Sequence, residues 1–353
     1  MSKQKVEPDD MITAVSYRTE FSVIDMDALK KVPLPPSKTG PVSAEEETEE
    51  VASLQKASKI VMEQTSKAAG SGRKIFIIRD GERLDQVFPG WERRAFTTFW
   101  EFKPYDLNIP MKLLTRTNGP MEFRYDPPLT EIGYAMAQLI GRGAKLSNVK
   151  VDYIYSSPAM SCLQTAHGFL KSFPKSKLKI RVEPGLFDFM AWYRATNMGW
   201  LTVQQLVNNS YEVDESYVPI MTSDEVFDKA SNESIVEYYQ RSAKVINKII
   251  KQHSEKPVAI ALFAHATSLD AISHELMQRR LLPTMDQMIK TPEYYPYNAA
   301  MALEQRADGA KWQLMPSALP PISYDDFTNR FNFRFATRGL LGDEGSSTDQ
   351  STG

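Results

Sequence analysis

Two arginines bracket an acid in the stretch Ile77-Ile78-Arg79-Asp80-Gly81-Glu82-Arg83, directly after an apolar run. Guanidinium groups suit planar and tetrahedral oxyanions because their fixed fork of N–H donors meets two acceptor oxygens at once. Far along the chain a second apolar run, 258 to 264, ends in His265, with Thr267 and Ser268 placed to cap a following helix. An imidazole and the positive end of a helix add to the same anion chemistry. Arg79, Arg83 and His265 therefore describe a pocket of phosphate size. Asp80 is the discordant member, because a carboxylate 4 Å from a unit negative charge opposes it by about 4 kcal/mol at an effective dielectric of 20.

Other candidates for chemistry are fewer. His167 reads as a packing or surface residue on a helix, and His253 and His274 have no companions at metal-ligand spacing, so neither a metal site nor a cofactor is expected. The single cysteine, Cys162, excludes an internal disulfide and reads as a small buried hydrophobe.

These residues need a scaffold that brings distant strand ends together. Strand-like runs lie at 74–79, 151–156, 178–182 and 258–264, apolar or β-branched enough to be buried. Between them, helical patterns cover 129–146, entered through Pro127 and Pro128 with Thr130 as cap, then 158–173, 232–253 and 268–280. The alternation predicts an α/β fold with a mainly parallel central sheet flanked by helices on both faces, whose ligands bind beyond the carboxyl ends of the strands. Two stretches, 80–128 and 183–231, are too long for ordinary connections and read as long ordered insertions. Aromatic residues in 88–105 suit either a lid or a dimer face.

Residues 1–73 differ in character. A flexible arm is expected, with Lys30, Pro33 and Pro36 spaced to lay an extended proline segment into a protein partner's aromatic groove. One amphipathic helix follows at about 44–69, opened by a capping box of Ser43 and Glu46. Residues 74–335 form the main domain, and 336–353 read as a disordered tail. A formal net charge of -2 offers no field for nucleic acid, and no apolar run is long enough to span a membrane. The polar opening and lone cysteine fit a cytoplasmic chain.

The motifs Arg79-Asp80-Gly81-Glu82-Arg83, Tyr155-Ser156-Ser157-Pro158-Ala159-Met160-Ser161-Cys162, Leu186-Phe187-Asp188-Phe189 and Phe263-Ala264-His265-Ala266-Thr267 occur in an order and spacing that resemble the histidine phosphatase superfamily. Within it, the chain looks most like the branch of the ubiquitin-associated and SH3 domain-containing proteins and ecdysteroid-phosphate phosphatase. The resemblance runs from about residue 74 to 335 and implies a phosphoglycerate-mutase-like fold and a homodimer.

It also implies roles. The family opens on Arg-His-Gly, whose histidine attacks phosphorus; Asp80 stands in that place here. A further family arginine falls at Ser161, and the glutamate that protonates the leaving oxygen falls at Asp188. Arg79, Arg83 and His265 match the pattern, so the resemblance implies a remnant phosphate pocket with no intact catalytic set. A carboxylate at position 80 is also expected to pair with both arginines and draw them from any substrate. Three readings stay open: a catalytically inactive protein-binding module, a phosphatase with weak or altered activity, and a phospholigand-binding module without turnover. Use of Asp80 as an aspartyl nucleophile would need a magnesium site, and neither Asp85 nor Asp188 supplies a defensible one.

Overall fold

The first strand, β1 (Lys74–Arg79), is buried on both faces, and its alternation divides the molecule. Ile75 and Ile77 enter one core, Phe76 and Ile78 the other. The computed structural model describes residues 72–338, apart from 118, 175, 195–197, 306–310, 316–317, 325–326, 329–330 and 332. The expected arm, its Lys30, Pro33 and Pro36, and the helix at about 44–69 lie outside the described residues.

Short helices α1 (Leu84–Val87) and α2 (Trp91–Ala95) follow β1. Helix α3 (Glu131–Leu146) starts after the two prolines, where the Thr130 hydroxyl accepts from Gly133 N, as its sequence predicts. Strand β2 (Tyr153–Ser156), helix α4 (Met160–Leu170) and strand β3 (Ile180–Val182) come next. The second long insertion carries α5 (Val203–Asn208) and α6 (Ser223–Phe227). Helix α7 (Ile235–Gln252) leads to β4 (Ala259–Ala264), α8 (Ala266–Leu276) and α9 (Met285–Tyr294).

The six-stranded sheet has the order β3-β2-β4-β1-β5-β6. Its β3, β2, β4 and β1 are mutually parallel. Strands β5 (Ala300–Gln305) and β6 (Trp312–Leu314) close one side in antiparallel pairing and are absent from the sequence reading. On one face, Val245, Ile246 and Ile249 of α7 and Leu269 and Ile272 of α8 cover Ile75, Ile77, Ile260 and Leu262. On the other, Ile140 and Ala144 of α3 and Leu163 and Phe169 of α4 cover Phe76, Ile78, Ala261 and Phe263. Each fully buried Ile or Phe side chain contributes about 1.5–3 kcal/mol, which anchors the strand ends between two helical layers.

Two boundaries move. Helix α8 begins at Ala266 with His265 as the N-cap residue, so Thr267 and Ser268 lie inside the helix and do not cap it. At the far end the packed chain reaches beyond residue 335: Ala336 and Thr337 are buried, and Arg338 pairs with Asp270, which also holds the buried Arg279 at 2.9 Å. A buried acid gathers these two cations, which periodicity does not reveal.

Of the histidines that sequence reading set aside, His253 packs against strand β2. Its ring stacks on Tyr153 at 3.8 Å, and Nε2 lies 2.8 Å from the Tyr155 hydroxyl and 3.4 Å from Arg181 Nη1. Burial, helped by the charge of Arg181, pushes its pKa down to about 4. The unfolded chain takes up a proton at about pH 6.5, whereas the fold holds this imidazole neutral, so the contribution is intact above that pH and lost as pH falls toward 4. Denaturant melts of the native chain and of His253→Phe should show a larger loss of stability between neutral pH and pH 4 in the native chain; equal losses would remove His253 from the account.

Candidate active-site cleft

The cleft is made by register. Arg79 pairs with Ala264 across β1 and β4, and Asp80 N donates to Ala264 O at 2.9 Å. The next residue of each strand, Asp80 and His265, therefore emerges side by side; each is only 3% exposed. Strand β2 lies on the other side of β4, and Ser157 N donates to Phe263 O at 2.9 Å. That brings the Ser157 hydroxyl to 3.0 Å and the Cys162 sulfur of α4 to 3.7 Å from His265 Nε2. The chain can turn sharply after Asp80 because Gly81 and Gly133 touch: a Cβ on Gly133 would sit 2.4 Å from Glu82 O. Above this floor opens a cleft of about 590 Å³ lined by Arg79, Asp80, Arg83, Asp188, His265 and Tyr297, among others. Ser161 is buried in the first turn of α4, outside the lining.

Of the expected pairings of Asp80 with the two arginines, only that with Arg79 forms, and it is long. Arg83 makes a bidentate bridge to Asp85, at 2.9 and 2.7 Å. Burial opposes its charge, and Asp85 overcomes that penalty, holding the Arg83 pKa above its ordinary value. Arg79 donates Nη1 to Pro292 O at 3.1 Å and to Tyr295 O, and its guanidinium lies 4.2 Å from the centre of the Tyr297 ring. Burial lowers its pKa, partly offset by Asp80. Its Nε stands 3.9 Å from Asp80 Oδ1, an ion pair too long for a hydrogen bond. Asp80 Oδ2 is buried with no hydrogen-bond partner among the described residues. An unmet buried acceptor costs about 1–3 kcal/mol, and more when charged.

Asp188 sits opposite, tied down on both oxygens. Oδ1 accepts from Thr267 Oγ1 at 2.6 Å and from Phe189 N at 2.8 Å; Oδ2 accepts from the Tyr193 hydroxyl at 3.1 Å. The segment that carries it is clamped by a residue that sequence reading missed. Arg241, buried on α7, donates to the carbonyls of Gly185, Phe187 and Asp188 at 2.8–2.9 Å and forks onto Glu233 at 2.7 and 2.9 Å. The only sequence signal was a lone charge on the apolar side of an amphipathic helix.

His265 is held neutral chiefly by burial, which lowers its pKa against the pull of Asp188 and Asp80. Its Nε2 contacts the Ser157 hydroxyl and the Cys162 sulfur. No metal site was expected from the sequence, yet ligand atoms of Asp80, Cys162 and His265 all lie within 4.8 Å of one another. The chain separations from 80 to 162 to 265 hide a grouping that three adjacent strand ends create. The aromatics of 88–105 do not line the cleft: Trp91, Phe96 and Phe102 pack with one another and Phe123, while Phe99 and Trp100 face solvent.

The sheet order thus brings Arg79, Arg83 and His265, from distant parts of the chain, to one cleft at the strand ends. The chain belongs to the histidine phosphatase superfamily; the model of its branch 1 matches residues 114–289, beginning after the Arg79-Asp80-Gly81 turn. It is 34% identical over 253 residues to the ecdysteroid-phosphate phosphatase of Drosophila melanogaster, covering 71% of this chain and 33% of that protein. Ubiquitin-associated and SH3 domain-containing protein B of Homo sapiens is 32% identical over 267 residues, covering 74% and 40% respectively. The chain thus spans only a third to two-fifths of the length of these relatives. Among solved structures, the ecdysone phosphate phosphatase of Bombyx mori in complex with tungstate superimposes with a TM-score of 0.60 at 29% identity, covering 74% of this chain and 98% of that one.

The Arg241 clamp makes a direct prediction. Arg241→Ala strands Glu233 as a buried unpaired charge and frees three carbonyls, so stability should fall by about 3–5 kcal/mol in denaturant melts. A loss below about 1 kcal/mol would mean that Arg241 does not hold the Asp188 segment.

Proposed function

We propose that this chain is a non-hydrolysing member of the superfamily, a pseudophosphatase kept as a protein-binding module. The observation that carries the reading is the buried carboxylate of Asp80 on the cleft floor beside His265, where the family resemblance calls for a nucleophilic histidine. A neutral imidazole accepts a phosphoryl group without adding charge, whereas Asp80 meets a phosphate with like charge, at a cost of about 4 kcal/mol per unit charge at 4 Å. Cationic help is also reduced. Ser161 stands where the resemblance calls for an arginine, and Arg83 and Arg79 are already engaged by Asp85 and by backbone carbonyls. Asp188, at the position of the leaving-group acid, accepts three hydrogen bonds, the opposite of a proton donor's posture.

Binding rests on a surface away from the cleft. Phe99, Leu107 and Met111 are 94%, 95% and 71% exposed, an unusual concentration of large apolar side chains in one insertion. We assign this insertion to self-association, in line with the homodimer that the family resemblance implies. Binding of a further protein partner through Lys30, Pro33 and Pro36, and a cytoplasmic setting, complete the reading.

Two measurements test it. Against an aryl phosphate, Asp80→His combined with Ser161→Arg should raise kcat/KM by at least about 100-fold over the native chain, the scale set by restoring a lost transition-state contact. Native turnover equal to that of the double variant would show a working phosphatase instead. For the surface, light scattering should give a dimer mass for the native chain and a monomer mass for Phe99→Asp with Leu107→Asp; a native monomer would overturn the assigned interface.

A further inference from the structure

We infer that Asp80, Cys162 and His265 form a binding site for a tetrahedral, borderline-soft divalent cation such as Zn²⁺ at the floor of the cleft. The three side chains offer a carboxylate oxygen, a sulfur and an imidazole nitrogen, a donor set that suits zinc and not magnesium or calcium. All three are buried, and their ligand atoms lie within 4.8 Å of one another. The Cys162 Sγ to His265 Nε2 separation is 3.7 Å. Two ligands of one tetrahedral zinc, with Zn–S about 2.3 Å and Zn–N about 2.0 Å, stand roughly 3.5 Å apart.

A second observation points to a ligand independently. Asp80 Oδ2 is buried without a hydrogen-bond partner among the described residues, an oxygen the fold leaves unmet. Arg83 is satisfied by Asp85; Arg79 spends Nη1 on Pro292 and Tyr295, and its Nε, 3.9 Å from Asp80 Oδ1, forms an ion pair with the carboxylate but lies too far to hydrogen-bond it. Charge also balances. The entering ion displaces the Cys162 thiol proton to solvent, and the thiolate with the carboxylates of Asp80 and Asp188 offsets the dication and the adjacent Arg79 in a site where excess charge is costly. Asp80 and His265 both line the cleft, which gives the ion a path from solvent, and Cys162 lies buried beneath them. The inference holds whether or not the chain hydrolyses phosphate, so its test is binding and not turnover.

The full chain, stripped with a chelator, is titrated with Co²⁺ and then with Zn²⁺ and followed by absorption. The expected result is one equivalent of Co²⁺ giving a thiolate-to-cobalt charge-transfer band with the intense visible bands of a tetrahedral ion, all abolished by Zn²⁺. Cys162→Ser should lose the charge-transfer band, Asp80→Asn should weaken Zn²⁺ binding by at least about tenfold, and His274→Gln should leave both unchanged. The charge-transfer band is read on the unaltered chain, so its absence there overturns the site whatever the variants do. Retention of the band in Cys162→Ser, or Zn²⁺ affinity unchanged in Asp80→Asn, would also overturn it.

Discussion

Everything at the cleft depends on the parallel pairing of β1 with β4. Their six-residue register ends with Arg79 beside Ala264, so the first residues beyond the ladder, Asp80 and His265, must share one floor. Helices pack on both faces of these strands and leave their carboxyl ends as the open side. A parallel sheet covered on both faces concentrates polar chemistry at the strand ends because the interior has no place for it. A change of one residue at such an end alters the character of the whole cleft.

That is the consequence of an aspartate at position 80. The cations around it take other hydrogen-bond partners: Arg83 goes to Asp85, and Arg79 turns to two backbone carbonyls and the face of Tyr297, keeping only a long ion pair to Asp80. The pocket is therefore neither an empty cationic cradle nor a closed set of ion pairs. One carboxylate oxygen remains unmet beside an imidazole and a thiol. The same feature that disfavours a phosphate favours a cation, and the inactive reading and the metal site share this physical root.

Much of the scaffold was legible in the sequence. The runs of β1 and β4 announce buried strands because both faces must be apolar, and Thr130 after two prolines marks the start of α3. The cleft residues were legible where they sit at strand ends. What escaped depends on contacts between distant segments. Strand β5 is built largely from Ala, Met, Leu, Glu and Gln, which favour helices, and β6 has only three residues, so no strand pattern stands out. The Arg83–Asp85 bridge, the Arg241 clamp and the proximity of Cys162 to His265 follow from which strand ends and helices meet, information that spacing along the chain does not contain. Thr267 shows the converse error: a residue with good capping chemistry is drawn inside the helix because Asp188 needs its hydroxyl.

The central claim is that Asp80 closes this cleft to tetrahedral oxyanions. Calorimetric titration of the metal-free chain with tungstate, the oxyanion in the Bombyx mori structure, tests it most directly. The native chain should give no saturable heat at millimolar tungstate, and clear saturation should appear once Asp80→His and Ser161→Arg are introduced together. Saturation of the native chain at micromolar tungstate would contradict it, because Arg79, Arg83 and His265 would then hold an oxyanion despite the carboxylate between them.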